Sequence, residues 1–107
     1  MNEKERTKLL SHLSAELAHI LGNKVERVLL YGSYARGDAR IDSDLDVLVV
    51  IKGEVDYPSL IRQTSELIAR LSLENDVVIS RAFISRERLE NEHSPFTLNV
   101  RREGIPL

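Results

Sequence analysis

At 107 residues, of which 42% are apolar and 30% charged, the chain has the composition of a folded soluble domain and room for one core, which excludes a disordered tail. A formal net charge of -2 disfavours a long nucleic acid as substrate, because enzymes that handle DNA or tRNA carry a basic surface for the phosphate backbone. The absence of cysteine removes disulfides, thiolate zinc sites and cysteine nucleophiles, so metal chemistry here needs oxygen ligands or histidine.

In chain order, Met1 to Lys8 is polar and charged, without the apolar stretch of a signal peptide. The longest strongly apolar run, Val47 to Ile51, falls far short of the roughly 20 residues that span a bilayer. The expectation is a cytoplasmic protein with no membrane partner. Leu10, Leu13, Leu17, Ile20 and Leu21 recur at helical spacing and predict an amphipathic helix from about Glu3 to Leu21, stopped by Gly22-Asn23. Val25 to Tyr31 predicts a buried strand that delivers Gly32-Ser33 to its C-terminal end. Tyr34 to Ser43 is polar and leads into a central strand, Leu45 to Ile51. Pro58 opens a second amphipathic helix along Leu60, Ile61, Thr64, Leu67, Ile68 and Leu71, a stripe of core-facing character. Val77 to Ile84 predicts a third strand, and a stretch with helical promise precedes a terminal helix, Phe96 to Glu103, that starts at Ser94-Pro95. This order predicts one α/β (α+β) domain over residues 1–107, with helices over a small sheet whose strand order the pattern does not give.

The chemistry concentrates between Gly32 and Val47. Gly32 and Gly37 have the spacing of a Walker phosphate loop, but Asp38 stands where that loop needs lysine and would repel phosphate. Asp42, Asp44 and Asp46 alternate as in a calcium loop, but Val47 and Gly53 fall where that loop needs glycine and glutamate. The third reading is phosphoryl-type transfer. Asp44 and Asp46, two apart on a strand, project to the same face and converge on one patch at a separation of about 6.6 Å along the strand. Such a pair, helped by a third carboxylate from the next strand, can bracket two metal ions about 3.5–4 Å apart. Gly32 lets the backbone approach phosphate oxygens, and Ser33 can donate its hydroxyl while capping a short helix from Tyr34.

Gly32-Ser33, ten residues, then Asp44-Leu45-Asp46 is similar to the signature of the polymerase-beta-like nucleotidyltransferase superfamily. The fuller pattern, Gly32-Ser33-Tyr34-Ala35-Arg36-Gly37 with Ser43-Asp44-Leu45-Asp46, resembles its smallest branch, the minimal nucleotidyltransferases, many of which are encoded beside a helical HEPN partner as toxin-antitoxin pairs. The resemblance implies the polymerase-beta-like core with a small mixed sheet. It further implies two Mg²⁺ ions on Asp44, Asp46 and a third carboxylate from a later strand, with ATP as donor of AMP and Gly32, Ser33 and Arg36 on its phosphates. Asp76, placed to open the strand Val77 to Ile79, is the best match for the third ligand, with Glu74 two positions away and Ser80 in a neighbouring strand position. The acceptor it implies is a hydroxyl, a tyrosine of a cognate HEPN toxin. The rivals are an antitoxin that acts by covering its partner without catalysis, and a small-molecule nucleotidyltransferase completed by another subunit.

The remaining polar residues read as structural or solvated. Asp38 and Asp42 are surface charges, and Arg36 is either a phosphate contact or a solvated partner of Asp38. His12 and His19, seven apart, lack the spacing of a zinc helix, and His93 lies in a polar loop. Arg81, Arg86, Arg88, Arg101 and Arg102, interspersed with glutamates, form a mixed, solvated face.

Overall fold

A computed structural model describes residues 1–107. Helix α1 spans Glu3–Leu21, where Asn2 and Glu5 form a reciprocal capping box and Gly22, at φ 63°, ends it before a 3-10 turn, Gly22–Lys24. Strand β1, Val25–Tyr31, leads into a single-turn helix α2, Ser33–Arg36, and strand β2 follows at Leu45–Ile51. Helix α3, Tyr57–Asn75, is capped by Asp56 and has Pro58 in its first turn. Strand β3, Ile79–Ser85, helices α4, Arg86–Asn91, and α5, Pro95–Glu103, and a two-residue strand β4, Ile105–Pro106, complete the chain. No helix is long and apolar enough to cross a membrane.

The four strands form one mixed sheet in the order β3-β2-β1-β4. β1 runs antiparallel to β2 and to β4, whereas β2 and β3 are parallel, joined by the crossover through α3. α1 and α3 cover one face of this sheet, where Leu13, Leu17, Leu30, Val47, Val49, Leu67 and Phe83 belong to a single core cluster. α4 and α5 cover part of the other, through Leu29, Leu48, Val50, Ile84, Leu89 and Val100. β2 is therefore buried on both faces, which explains its apolar run from Val47 to Ile51 and why, along it, only Asp46 near its start is partly open to solvent. Leu17, fully buried where α1 meets the sheet, is a central contact of the larger cluster. Leu17→Ala is expected to lower the unfolding free energy by about 2–5 kcal/mol in chemical denaturation, and a loss below about 1 kcal/mol would contradict this packing.

Three boundaries differ from the sequence expectation. α3 runs to Asn75 and is closed by Asp76 in the left-handed conformation, φ 50°, where glycine or asparagine is usual. The Val77 N–H donates to the Ser72 carbonyl and the Ile79 N–H to the Ser72 hydroxyl, so the chain turns through 76–78 and β3 begins at Ile79, not at Val77. At α2, Gly32 is the cap and its carbonyl accepts from the Ala35 and Arg36 N–H groups, so Ser33 is the first helical residue and caps nothing. The third is β4, absent from the sequence reading, which lies on β1 through Leu29–Pro106 and Leu30–Ile105, after which the Leu107 N–H donates to the Val28 carbonyl.

Candidate active site

The site lies where β1 ends and β2 begins. Antiparallel register sets Tyr31 opposite Asp46, and parallel register sets Ser80 of β3 on Asp46's other side. Directly paired residues share a face, so Tyr31, Asp46 and Ser80 form one row across three strands, directly before the apolar row Leu29, Leu48 and Ala82. Asp44, two residues before Asp46 and just outside β2, projects to the same side and is exposed. The Leu45 N–H between them donates to the Val78 carbonyl at 2.8 Å, which holds this entrance of β2 against the chain leading into β3.

Gly32 closes the site from β1. Its φ of 76° and ψ of -156° belong to a region that side chains other than glycine's rarely enter, and a Cβ there would stand 2.3 Å from Asp46 Oδ2. The glycine thus serves the conformation and the close approach together. It brings the loop's backbone and the start of α2 directly against the Asp46 carboxylate, with Ser33 half-buried beside it.

Burial, followed by the negative charge of Asp44, raises the Asp46 pKa above its ordinary 3.8, and the positive charge of Arg36 offsets part of this. Tyr31 is raised as well, by burial and then by the charge of Asp46, while its ring stands edge-on to Phe96 of α5 at 5.6 Å. No ion pair of the structure includes Asp44 or Asp46. Two unpaired carboxylates on one face, one of them reluctant to ionise, are donors that fit a hard divalent cation, which would relieve their repulsion.

Arg36 reaches over the site's rim: its Nε donates to Asp38 at 3.2 Å and its Nη1 lies 3.5 Å from Glu103 at the end of α5. These carboxylates hold its own pKa above the ordinary value, Asp38 first and Glu103 after it. Asp38 is therefore a partner of Arg36 and Asp42 an exposed turn residue.

Asp76 does not open a strand beside the two aspartates. As the left-handed cap of α3 it stands two residues before Val78 and lines cavities with Ile41 and Val77, one of them also bordered by Arg6, Tyr34 and Arg40. No three His, Asp or Glu side chains come together as a metal cluster. Glu74 lies on α3 paired with Arg70 at 3.8 Å. His12, His19 and His93 are exposed, and the leucine stripe of α3 is core.

The arginines flagged in the sequence pair within the chain. Arg81 donates to Thr64, to the Ile61 carbonyl and to Ser65, fastening β3 to α3. Arg101 donates to the Leu89 and Glu92 carbonyls, fastening α5 to α4. Arg86 and Arg88 pair with Glu90 and Glu92 one helical turn on, and Arg102 with Asn99 and Glu103.

The sequence model of the polymerase beta nucleotidyltransferase family matches residues 15–104, from the middle of α1 to the end of α5. Two candidate protein adenylyltransferases of Methanocaldococcus jannaschii are similar in sequence. One is 36% identical over 78 residues, 71% of this chain and 76% of the relative, and the other 39% over 83 residues, 76% of each. Among solved structures, a toxin-antitoxin complex crystallised with AMP-PNP superposes with a TM-score of 0.61 over 89% of this chain and 69% of that one, at 20% identity, which supports the fold. With the family's match spanning all three long strands and both sides of the Gly32–Asp46 site, the chain belongs to the polymerase beta nucleotidyltransferase family.

Proposed function

We propose that this nucleotidyltransferase transfers AMP from ATP to a hydroxyl of another protein, a tyrosine of a cognate helical toxin of the HEPN type, and so acts as that toxin's antitoxin. The observation that carries this reading is the abutment of Gly32 on the Asp46 carboxylate, which sets the phosphate-approaching backbone and the cation-binding pair within one site. The names of the two archaeal relatives favour a protein acceptor, and the toxin-antitoxin complex with AMP-PNP favours both an adenine nucleotide and a toxin partner.

In this reading the backbone after Gly32 and the Ser33 hydroxyl hold the terminal phosphates, and Arg36 contributes positive charge at the rim. Asp44 and Asp46 would hold Mg²⁺, which when bound supplies Lewis-acid polarisation of the phosphates and cancels charge between them and the carboxylates. The acceptor oxygen forms its bond to the α-phosphorus, the bond from that phosphorus to the bridging oxygen breaks, pyrophosphate leaves and the hydroxyl proton is released. Asp76 closes α3 three residues before β3 begins, so it does not occupy the strand position expected of the third ligand.

Incubation with ATP, Mg²⁺ and a candidate helical partner, followed by intact mass spectrometry, is expected to show the partner gaining one or more AMP units. A partner that binds tightly and is never modified, while a small alcohol or amine is, would replace this reading with small-molecule transfer.

A further inference from the structure

The residue level with Asp46 on β3 is an alcohol. Leu45–Ile79 and Asp46–Ser80 are paired in register, and the alternation along β3 puts Ile79 and Phe83 in the core under α1 and α3. Ser80 therefore faces the same side as Asp46, half-buried, at the one position of the neighbouring strand from which a side chain could join the aspartate pair.

A second cation beside the first needs more negative charge than two carboxylates provide, because ions about 3.5–4 Å apart repel strongly unless anionic ligands lie between and around them. None of the other acidic groups nearby stands on β2 or β3. Asp38 and Glu103 pair with Arg36, Asp42 is exposed in the connecting turn, and Asp76 caps α3 on the side of the chain lined by Arg6, Tyr34 and Ile41. The donor set thus fits one divalent cation and does not fit two.

We propose that the chain by itself holds a single divalent cation, between Asp44 and Asp46, and that Ser80 is the residue that withholds a second, which enters only with the phosphates of the nucleotide. The proposal rests on the nucleotidyl-transfer reading of the site. Its consequence is a coupling: the site reaches full cation occupancy only with nucleotide present. With an alcohol at Ser80, β3 also offers no carboxylate to take the proton of an acceptor hydroxyl, so that proton must leave to solvent or to a group on the acceptor's side.

Binding of Mn²⁺ to the full chain, counted by the electron paramagnetic resonance of the free ion, tests this without any turnover. Without nucleotide the wild type is expected to take up one Mn²⁺, and with a non-hydrolysable ATP analogue two. Ser80→Asp is expected to take up two without nucleotide, Ser80→Ala to stay at one, and Asp76→Asn to match the wild type in both conditions. Two ions in the nucleotide-free wild type, with one lost in Asp76→Asn, would make Asp76 the third ligand and overturn the proposal. So would a folded Ser80→Asp chain that still binds one, and if that variant does not fold, the Asp76→Asn comparison decides. A wild type that takes up no Mn²⁺ with or without the analogue would instead remove the nucleotidyl-transfer reading itself.

Discussion

Asp44→Asn and Asp46→Asn are each expected to reduce nucleotidyl transfer by more than about 100-fold while leaving the fold intact. Residues that merely support a metal ligand are worth about 10–100-fold, and these two carboxylates lie close enough for the charge of Asp44 to act on Asp46. The stability side has a definite sign. The Asp46 carboxyl holds its proton more tightly in the folded protein than in the unfolded chain, because burial and Asp44 disfavour its charge. Without bound cation, stability therefore falls as pH rises from the ordinary carboxylate value through the raised one, and the penalty is fully present above the raised value. Asn cannot ionise, so Asp46→Asn should melt at or above the wild type at pH 7, and this advantage should vanish below the ordinary carboxylate range. Thermal melts across that pH range, in the presence of a chelator, measure the difference. A substantially lower melting temperature at pH 7 would show that the carboxylate has a structural partner.

Gly32→Ala should be nearly as damaging by a different route. The backbone at φ 76° and ψ -156° disfavours a side chain by about 1–3 kcal/mol, which denaturation would register as lost stability. The larger effect is on activity. A methyl group 2.3 Å from Asp46 Oδ2 forces the carboxylate or the loop to move, and a misplacement of about 1 Å can lower a rate by about 100-fold. A Gly32→Ala enzyme that is destabilised yet retains wild-type kcat/KM would mean that the loop's approach to Asp46 has no part in the reaction.

Much of this site was legible because it rests on local rules. The aliphatic spacing in α1 and the apolar runs of β1 and β2 mark elements whose bounds agree with the sequence reading, and Asp44 and Asp46 share a face by strand periodicity alone. Gly32 was readable as a close-approach glycine, though its neighbour, the Asp46 carboxylate, is a long-range contact that no local pattern encodes. What escaped depends on tertiary context. Asp76 adopts a left-handed cap that sequence would assign to glycine or asparagine, and this moved the start of β3 by two residues and removed Asp76 from the strand. The register that sets Ser80 beside Asp46 follows from the α3 crossover, which fixes which residues of β3 meet β2. Strand β4, two residues including a proline, has no periodicity to detect and exists because α5 returns the chain to the edge of β1. Arg81 looked like surface charge, and only the packing of α3 on β3 shows its three hydrogen bonds to Thr64, Ile61 and Ser65 of that helix.

The central claim, that the Gly32–Asp46 site moves a nucleoside monophosphate, is tested most directly by following where each phosphate of ATP goes. Parallel reactions with ATP labelled at the α- or the γ-phosphate, each with Mg²⁺ and a candidate acceptor protein, are predicted to place the α label on the acceptor. The γ label should leave in pyrophosphate, and both events should be lost in Asp44→Asn. Transfer of the γ label to the acceptor, or α-label transfer undiminished in an Asp44→Asn, Asp46→Asn double variant, would contradict the account.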